Sequence, residues 1–434
     1  MAPLGWPGIV RLGLVQAGLG AVVVLATSTL NRVMVVELAL PALIPGALVA
    51  FHYVLQVLRP RLGYGSDLGG RRTPWIMGGM AALALGGAGT ACGTALMVTH
   101  IWAGVAIAVP AFALVGVGVG AAGTALLTLL AKRVAPGRRA QAATLVWLMM
   151  IAGIAVTAVV AGKLLDPFSP ERLVLVVGGV AVLAFAVAVL AVWGVEGPGA
   201  AVRTEAHAPF LPALKEVWAE AQARRFAVFV FVSMLAYSAQ ELVLEPFAGA
   251  VFALTPGQST GLNGLHHAGV LGGMALVAAV GVLARGRPGV LRGCTVGGCV
   301  GSAVAILMLA ASGLLGVGLP LRTGVVLLGV ANGAFAVSAI GAMMGLASNG
   351  RSAREGTRMG LWGAAQAMAF GAGGLFGTGA SDLARAVFGD PATAYAAVFV
   401  AEAALFLLSA RLALGVFGNP AAGPVPGHGA MQAG

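Results

Sequence analysis

Charge is scarce in this sequence. Charged residues make up 9% of the 434 and apolar residues 59%, with a mean hydropathy of +0.97. A soluble domain carries charge on about a quarter of its residues. A water-soluble globule of this length is thereby excluded, and the expected solvent is lipid. Cysteine is nearly absent as well. Cys92, Cys294 and Cys299 lack CxxC spacing and fall in apolar stretches, which excludes a disulfide framework and leaves them as small packing residues. No G-x-x-x-x-G-K-S/T, zincin or serine-hydrolase motif occurs, so nucleotide hydrolysis and those hydrolytic chemistries have no support. Met1 to Pro7 carries no basic cluster, and no cleavable signal peptide is expected.

What the sequence does contain is long apolar stretches separated by turn formers. Spans are expected near 11–31, 40–58, 75–97, 102–130, 141–162, 173–194, 226–250, 262–284, 293–314, 321–347, 359–380 and 394–415. Barrel strands are shorter and alternate, which excludes a closed barrel. Of the 25 Lys and Arg residues, 20 fall at the N-terminus, in the loops after spans 2, 4, 6, 8 and 10 and after span 12, against 5 on the other side. The positive-inside rule then places both termini in the cytoplasm. The net charge of +11 is thus a matter of orientation, and no nucleic-acid partner is expected.

The longest polar stretch divides the spans six and six. The expected domains are an N-terminal bundle over 1–194, a cytoplasmic linker over 195–225, a C-terminal bundle over 226–415 and a disordered tail over 416–434. Within the linker, Leu211, Leu214 and Trp218 share one stripe while Glu216, Glu220 and Arg224 share another, which reads as a short amphipathic helix on the membrane surface or as a solvated connector.

Six plus six spans is the architecture of the major facilitator superfamily. The loop after span 2, Gly63-Tyr64-Gly65-Ser66-Asp67-Leu68-Gly69-Gly70-Arg71-Arg72, resembles that superfamily's signature G-x-x-x-D-x-x-G-R-R/K at Gly63, Asp67, Gly70, Arg71 and Arg72. The resemblance implies a cytoplasmic gating loop in which Asp67 accepts bonds from helix N-termini or pairs with an arginine. The equivalent loop after span 8 has Arg285 where the repeat wants aspartate, so the second clasp is absent or altered.

Two further segments narrow the resemblance. Span 2 reads Ala50-Phe51-His52-Tyr53-Val54-Leu55-Gln56, and span 7 ends Gln240-Glu241-Leu242-Val243-Leu244-Glu245-Pro246-Phe247, followed by Gly257-Gln258-Ser259-Thr260. Both resemble the PucC and LhaA family of phototrophic bacteria over essentially all twelve spans, and the compact loop after span 2 resembles a branch associated with bacteriochlorophyll synthesis genes. The resemblance implies a bacterial inner-membrane protein that handles bacteriochlorophyll or a precursor. Its partners would be membrane lipid and a late pigment-synthesis enzyme or a light-harvesting apoprotein, with no covalent cofactor.

Ionisable residues inside a membrane cost about 2.5–3.5 kcal/mol each at a helix centre, so each needs a reason. Glu241 and Glu245 lie one turn apart on span 7. They read either as a pair that binds a proton, a cation or a partner, or as a helix-ending pair at the interface. Arg32, at the end of span 1, is their expected partner. His52 and Gln56 are also one turn apart, and His52 is a candidate magnesium ligand for a pigment or a bond to a neighbouring helix. His266 and His267 are expected at the solvated opening of span 8, while Glu402 and Asn332 complete the polar inventory as candidates for a central cavity. The glycine runs Gly293xxxGly297xxxGly301, Gly116xxxGly120 and Gly373xxxGly377 suit close helix packing or a docking face.

The expected fold is all-α: twelve transmembrane helices in two six-helix bundles, with a major facilitator arrangement and both ends in the cytoplasm. Two functions are carried. One is a non-enzymatic assembly or delivery factor for bacteriochlorophyll or light-harvesting complexes. The other is a proton-coupled secondary transporter of a lipophilic or tetrapyrrole-related substrate, with Glu241, Glu245 and Glu402 in the coupling role and Asp67 in the gate.

Overall fold

The computed structural model describes residues 4–56, 71–135, 138–196, 215, 218–283, 289–316, 318–348 and 355–417. Among them lie twelve long helical elements and no strand. They are α1 (Trp6–Glu37), α2 (Leu43–Leu55), α3 (Thr73–Met97), α4 (Ile101–Arg133), α5 (Arg139–Leu165), α6 (Pro170–Val192), α7 (Ala221–Phe252), α8 (Pro256–Leu283), α9 (Val290–Leu315), α10 (Gly318–Ser348), α11 (Glu355–Phe388) and α12 (Pro391–Phe417). Ten are long and apolar enough to cross a membrane. The other two are α2, apolar but only 13 residues, and α11, whose 34 residues are rich in glycine and alanine.

Local sequence explains several of the boundaries. Between α5 and α6 the run Asp166-Pro167-Phe168-Ser169-Pro170 stops one helix and starts the next. Ser169 Oγ accepts from the Arg172 N–H at 3.1 Å, and Pro170 occupies the first turn, where its missing N–H costs nothing. Asp390 does the same for α12, accepting from the Thr393 N–H at 2.8 Å ahead of Pro391. At the ends of α1 and α7 an alanine stands in the left-handed region where glycine is the usual choice, Ala39 at φ 50° and Ala253 at φ 53°. Each costs about 1 kcal/mol. In both, the following N–H reaches back six residues, Leu40 to Met34 O and Leu254 to Ala248 O.

That parallel extends to the whole chain. In the first half α1 packs on α5 and α6, α3 on α4 and α6, and α2 on α4. Adding six to each number gives the main pairs of the second half: α7 with α11 and α12, α9 with α10 and α12, and α8 with α10. The halves meet through α5 with α8 and α2 with α11, which are themselves equivalent pairs. Two apolar cores fill the first half, and a larger one fills the second around Phe226, Phe229, Phe247, Trp362, Phe399 and Phe406.

Small residues set the helix spacing. A methyl added at Gly373 would lie 2.6 Å from Leu235 O, and one at Gly377 would lie 2.9 Å from Ala239 O, so α11 lies backbone to backbone on α7. Gly116 packs likewise against His52 O of α2. Gly293 and Gly297 meet nothing within 4 Å, so only part of the α9 run serves packing inside the protein.

Three expectations need correction here. Span 1 does not end at residue 31: α1 runs on to Glu37 through two wide turns, Leu25–Thr29 and Val33–Glu37, with five-residue hydrogen-bond steps. Span 8 begins at Pro256, six residues before the expected 262, because the polar run Pro256-Gly257-Gln258-Ser259 is helix rather than loop, buried at every position but Gln258. Helix α7 begins at Ala221, so residues 221–225 belong to it. Of the expected surface helix before it, only Lys215, Trp218, Ala219 and Glu220 lie among the described residues. Gly63, Asp67 and Gly70 of the gating loop and the tail beyond Phe417 lie outside them.

The contacts tying the halves together gather at the end where α1 finishes, which the charge count assigns to the periplasm. Asp382 of α11 accepts the Ala42 and Leu43 N–H groups at the start of α2, at 2.9 and 2.8 Å. Thr255 Oγ1 donates to Asp166 at 2.8 Å, and a methyl at Gly257 would clash with Gly162 O. At the other end, arginines secure the first half. Arg133 Nη1 donates to Val195 O and Glu196 O at 2.9 and 2.6 Å, and Arg11 donates to Leu190 O and Trp193 O, satisfying the carbonyls that end α6.

Candidate functional site

A seam of buried polar side chains crosses the boundary between the halves. It is built on α1, where Thr27, Ser28, Thr29, Asn31 and Arg32 are all 3% exposed or less. In the two wide turns successive residues rotate less than in a regular helix; Thr27, Ser28 and Thr29 lie in the first of them, and Asn31 and Arg32 lie between the two. Opposite stand Glu245 of α7 and Thr260 and Asn263 of α8. Ser28 Oγ donates to Glu245 Oε1 at 2.6 Å, and Asn263 Nδ2 donates to the same oxygen at 2.9 Å and to Ser28 Oγ at 2.8 Å. Thr260 Oγ1 donates to Glu245 Oε2 at 3.2 Å and shares a 3.1 Å bond with Thr29 Oγ1. Asn31 Nδ2 adds a bond to Leu242 O at 2.7 Å. Every bond to Glu245 comes from a donor, which suits a group that only accepts.

Arg32 makes no ion pair or hydrogen bond with either of the two glutamates. Its guanidinium pairs with Glu37 one turn on and donates to Leu254 O at 2.5 Å, resting against Gly249, where a methyl would lie 2.8 Å from Nη2. The two wide turns carry α1 beyond Arg32 and bring Glu37 to it first. Nor is Glu245 an interfacial residue: it is 1% exposed, and α7 continues for seven residues beyond it. Glu241 differs from its neighbour. It is half-buried and makes no hydrogen bond to any described residue.

A second polar cluster adjoins the first. Asn332 Nδ2 of α10 donates to Gln240 Oε1 at 2.9 Å and lies 3.2 Å from His266 Nε2, and Gln240 Nε2 lies 3.3 Å from the same ring nitrogen. Ser302 Oγ donates to Asn332 Oδ1 at 2.7 Å, and His267 Nδ1 bonds Asn263 O at 3.1 Å. His266 and His267 are thus each 1% exposed, not solvated at a helix opening, because α8 starts ten residues before His266. Asn332 belongs to this cluster and not to a cavity wall.

His52 is fully buried, and the structure gives both its ring nitrogens protein partners. Nδ1 bonds Val49 O at 2.8 Å, and Nε2 accepts from Gln56 Nε2 at 3.0 Å. That leaves no lone pair for a magnesium, so the pair His52 and Gln56 does not fit a pigment ligand. Glu402 is also fully buried, with neither carboxylate oxygen bonded within the described residues. It lies between Phe399 and Phe406 in the core of the second half, and no bond joins it to Glu245 or Glu241.

Between the halves runs an aromatic file. Tyr53 of α2 lies 5.2 Å from Phe370 of α11, Phe370 lies 6.0 Å from Tyr237 of α7, and Tyr237 lies 6.5 Å from His266. Tyr53, two residues from the end of α2, and Phe370 and Tyr237, well inside their helices, are only half-buried, so open space lies beside them. Of the expected gating loop, Arg71 and Arg72 are described. The Arg72 and Thr73 N–H groups donate to the two oxygens of Glu196 at 2.5 and 2.8 Å, so Glu196 caps α3. Partial burial works against it, yet those two bonds and the nearby Arg71 guanidinium hold the Glu196 carboxyl below its ordinary range.

Sequence reasoning missed Ser28, Thr29, Asn31, Glu37, Gln240, Asn263, Glu196 and Asp382. For the first three the signal was present: five polar residues in six, Thr27 to Arg32, inside a stretch otherwise apolar.

The profile of the PUCC protein family matches residues 29–420. The chain belongs to the PucC family. This PucC-family chain is 53% identical over 424 residues to a Rhodobacter capsulatus protein named bacteriochlorophyll synthase 44.5 kDa chain, with 98% of each chain covered. It is 31% identical over 429 residues to protein PucC of Cereibacter sphaeroides, covering 92% of this chain and 90% of that one. Among solved structures it is similar to an inward-facing, unoccupied bacterial homologue of the human lysosomal transporter Spinster, with TM-score 0.71, 15% identity and 94% and 96% of the two chains covered. It is similar also to the peptide transporter POT in complex with sulfate, with TM-score 0.70, 13% identity and 96% of each chain covered. The fold is the two-bundle arrangement of major facilitator transporters, and this PucC-family chain is a multi-pass protein of the bacterial membrane.

Proposed function

We propose that this chain is a non-enzymatic membrane factor that receives bacteriochlorophyll or a precursor in the space between its halves and delivers it. The recipient would be a late pigment-synthesis enzyme or a light-harvesting apoprotein. The observation that carries this reading is the near full-length likeness, at 53% identity, to a relative named for bacteriochlorophyll synthesis. The interior supports it: the file Tyr53, Phe370 and Tyr237 offers flat apolar faces, and the buried charge around it is too sparse for a strongly ionic cargo.

A second reading has an observation of its own. Glu245 joins the halves through Ser28, and a carboxylate bonded across two bundles is placed to couple protonation to their relative movement. In that reading the chain is a proton-coupled transporter of a lipophilic or tetrapyrrole-related substrate.

Co-purification separates the two. Pigment and a synthesis enzyme or apoprotein retained on the full-length protein through mild detergent support delivery. Retention of neither, together with substrate-dependent proton flux in liposomes, overturns it in favour of transport.

A further inference from the structure

The pigment-handling reading leaves open which group holds the pigment, and His52 is already occupied. Around the aromatic file the buried polar groups are largely spoken for: Glu245 by Ser28, Asn263 and Thr260, His266 by Gln240 and Asn332, Arg32 by Glu37 and Leu254 O. Glu241 is the exception. It keeps part of its surface open, and no described residue bonds it. A carboxylate at this depth with no bond to a described residue is costly, and a proton or an external electrophile relieves that cost.

Its position fits one. Tyr237, Glu241 and Glu245 follow one another at four-residue steps and so share a face of α7. At one end of that stripe Glu245 is sealed between the halves. At the other, Tyr237 stands in the aromatic file with Phe370 and Tyr53, which draws on α7, α11 and α2 and therefore on both halves. A flat conjugated ring stacked along Tyr237 and Phe370 would present its centre to the residue one turn further on, which is Glu241. Magnesium is a hard cation that prefers oxygen ligands, and a carboxylate supplies one.

We propose that Glu241 is the metal-ligating residue of a central site for a magnesium tetrapyrrole, its carboxylate taking an axial position on the magnesium while the ring lies along Tyr53, Phe370 and Tyr237. This rests on the pigment-handling reading, and the test keeps the two apart. Purified full-length protein in mild detergent is titrated with bacteriochlorophyll and, separately, with its metal-free form, reading the absorption shift and the vibrational bands that report magnesium coordination. Wild type is expected to bind the magnesium form at least about tenfold more tightly, the scale on which metal sites respond to losing a supporting group. Glu241→Ala is expected to abolish that preference while still binding both forms. Glu241→Gln, which keeps the shape and a weaker oxygen, is expected to fall between. Equal binding of the two forms by wild type, or a preference that survives in Glu241→Ala, overturns the ligation and leaves pigment handling standing. Binding of neither form by folded wild type overturns both.

Discussion

Ser28 and Glu245, on opposite halves of the protein, share a 2.6 Å hydrogen bond at a point where both are 1% exposed. Asn263 bonds to both, so the three form one unit. Removing one partner of a buried bond to an acidic group costs about 1.5–3 kcal/mol. Ser28→Ala should therefore lower the melting temperature in detergent, and Glu245→Ala should lower it further, because it strands Thr260 and Asn263 as well. A double-mutant cycle should return a coupling energy on that scale. Additive effects would mean that the bond does not hold the halves together.

Arg32 is tied to Glu37 and to Leu254 O at the end of α7, so it is expected to act in stability. Arg32→Ala should be severe, reducing folded protein in the membrane by several-fold, since it leaves the part-buried Leu254 carbonyl and Glu37 without their guanidinium. Glu37→Gln should be milder, and Glu241→Gln should leave the amount of folded protein unchanged. Quantifying monodisperse protein after solubilisation checks all three, and a loss on Glu241→Gln equal to that on Arg32→Ala would restore Glu241 to a structural pairing.

Glu196 links the start of α3 to the end of α6 and carries a pH signature. Its carboxyl is held below the ordinary 4.5 in the folded protein, so its contribution is complete above that value and is lost as pH falls through the depressed one. Glu196→Gln should cost about 1 kcal/mol at neutral pH, the scale of a capping bond. The difference from wild type should shrink as the solution is acidified below about pH 4. A difference that stays constant between neutral and acidic pH would remove Glu196 from the cap.

The 20 to 5 asymmetry of basic residues leads us to expect both termini in the cytoplasm. A periplasmic phosphatase fused after Arg411 should be inactive, and one fused in the turn between α5 and α6 should be active. The reverse pattern would turn the protein over and place the Asp382 and Asp166 contacts at the cytoplasmic end.

The sequence was legible where one physical signal dominated. Apolar run length located each of the twelve described helices, and the six-helix-per-half repeat of packing partners follows the division at the polar linker. It was less legible where polarity and burial part company. Pro256-Gly257-Gln258-Ser259 has the composition of a loop, but it is a helical turn packed on the other half, and missing it put His266 and His267 in solvent. The direct ion pair of Arg32 with Glu37 was not legible, because the wide turns of α1, which bring Glu37 to it, leave no mark in hydropathy. Glu241 and Glu245 were recognised as costly residues from sequence, yet only their surroundings separate the bonded one from the open one.

Delivery without chemistry is the central claim, and the relative named a synthase chain makes it worth testing directly. Full-length protein purified in mild detergent is incubated with bacteriochlorophyll or its immediate precursor, and every pigment is recovered and identified by mass. The expected result is pigment bound in a fixed ratio to protein and returned chemically unchanged. A new pigment species accumulating in excess of the protein would contradict the account and make this chain an enzyme.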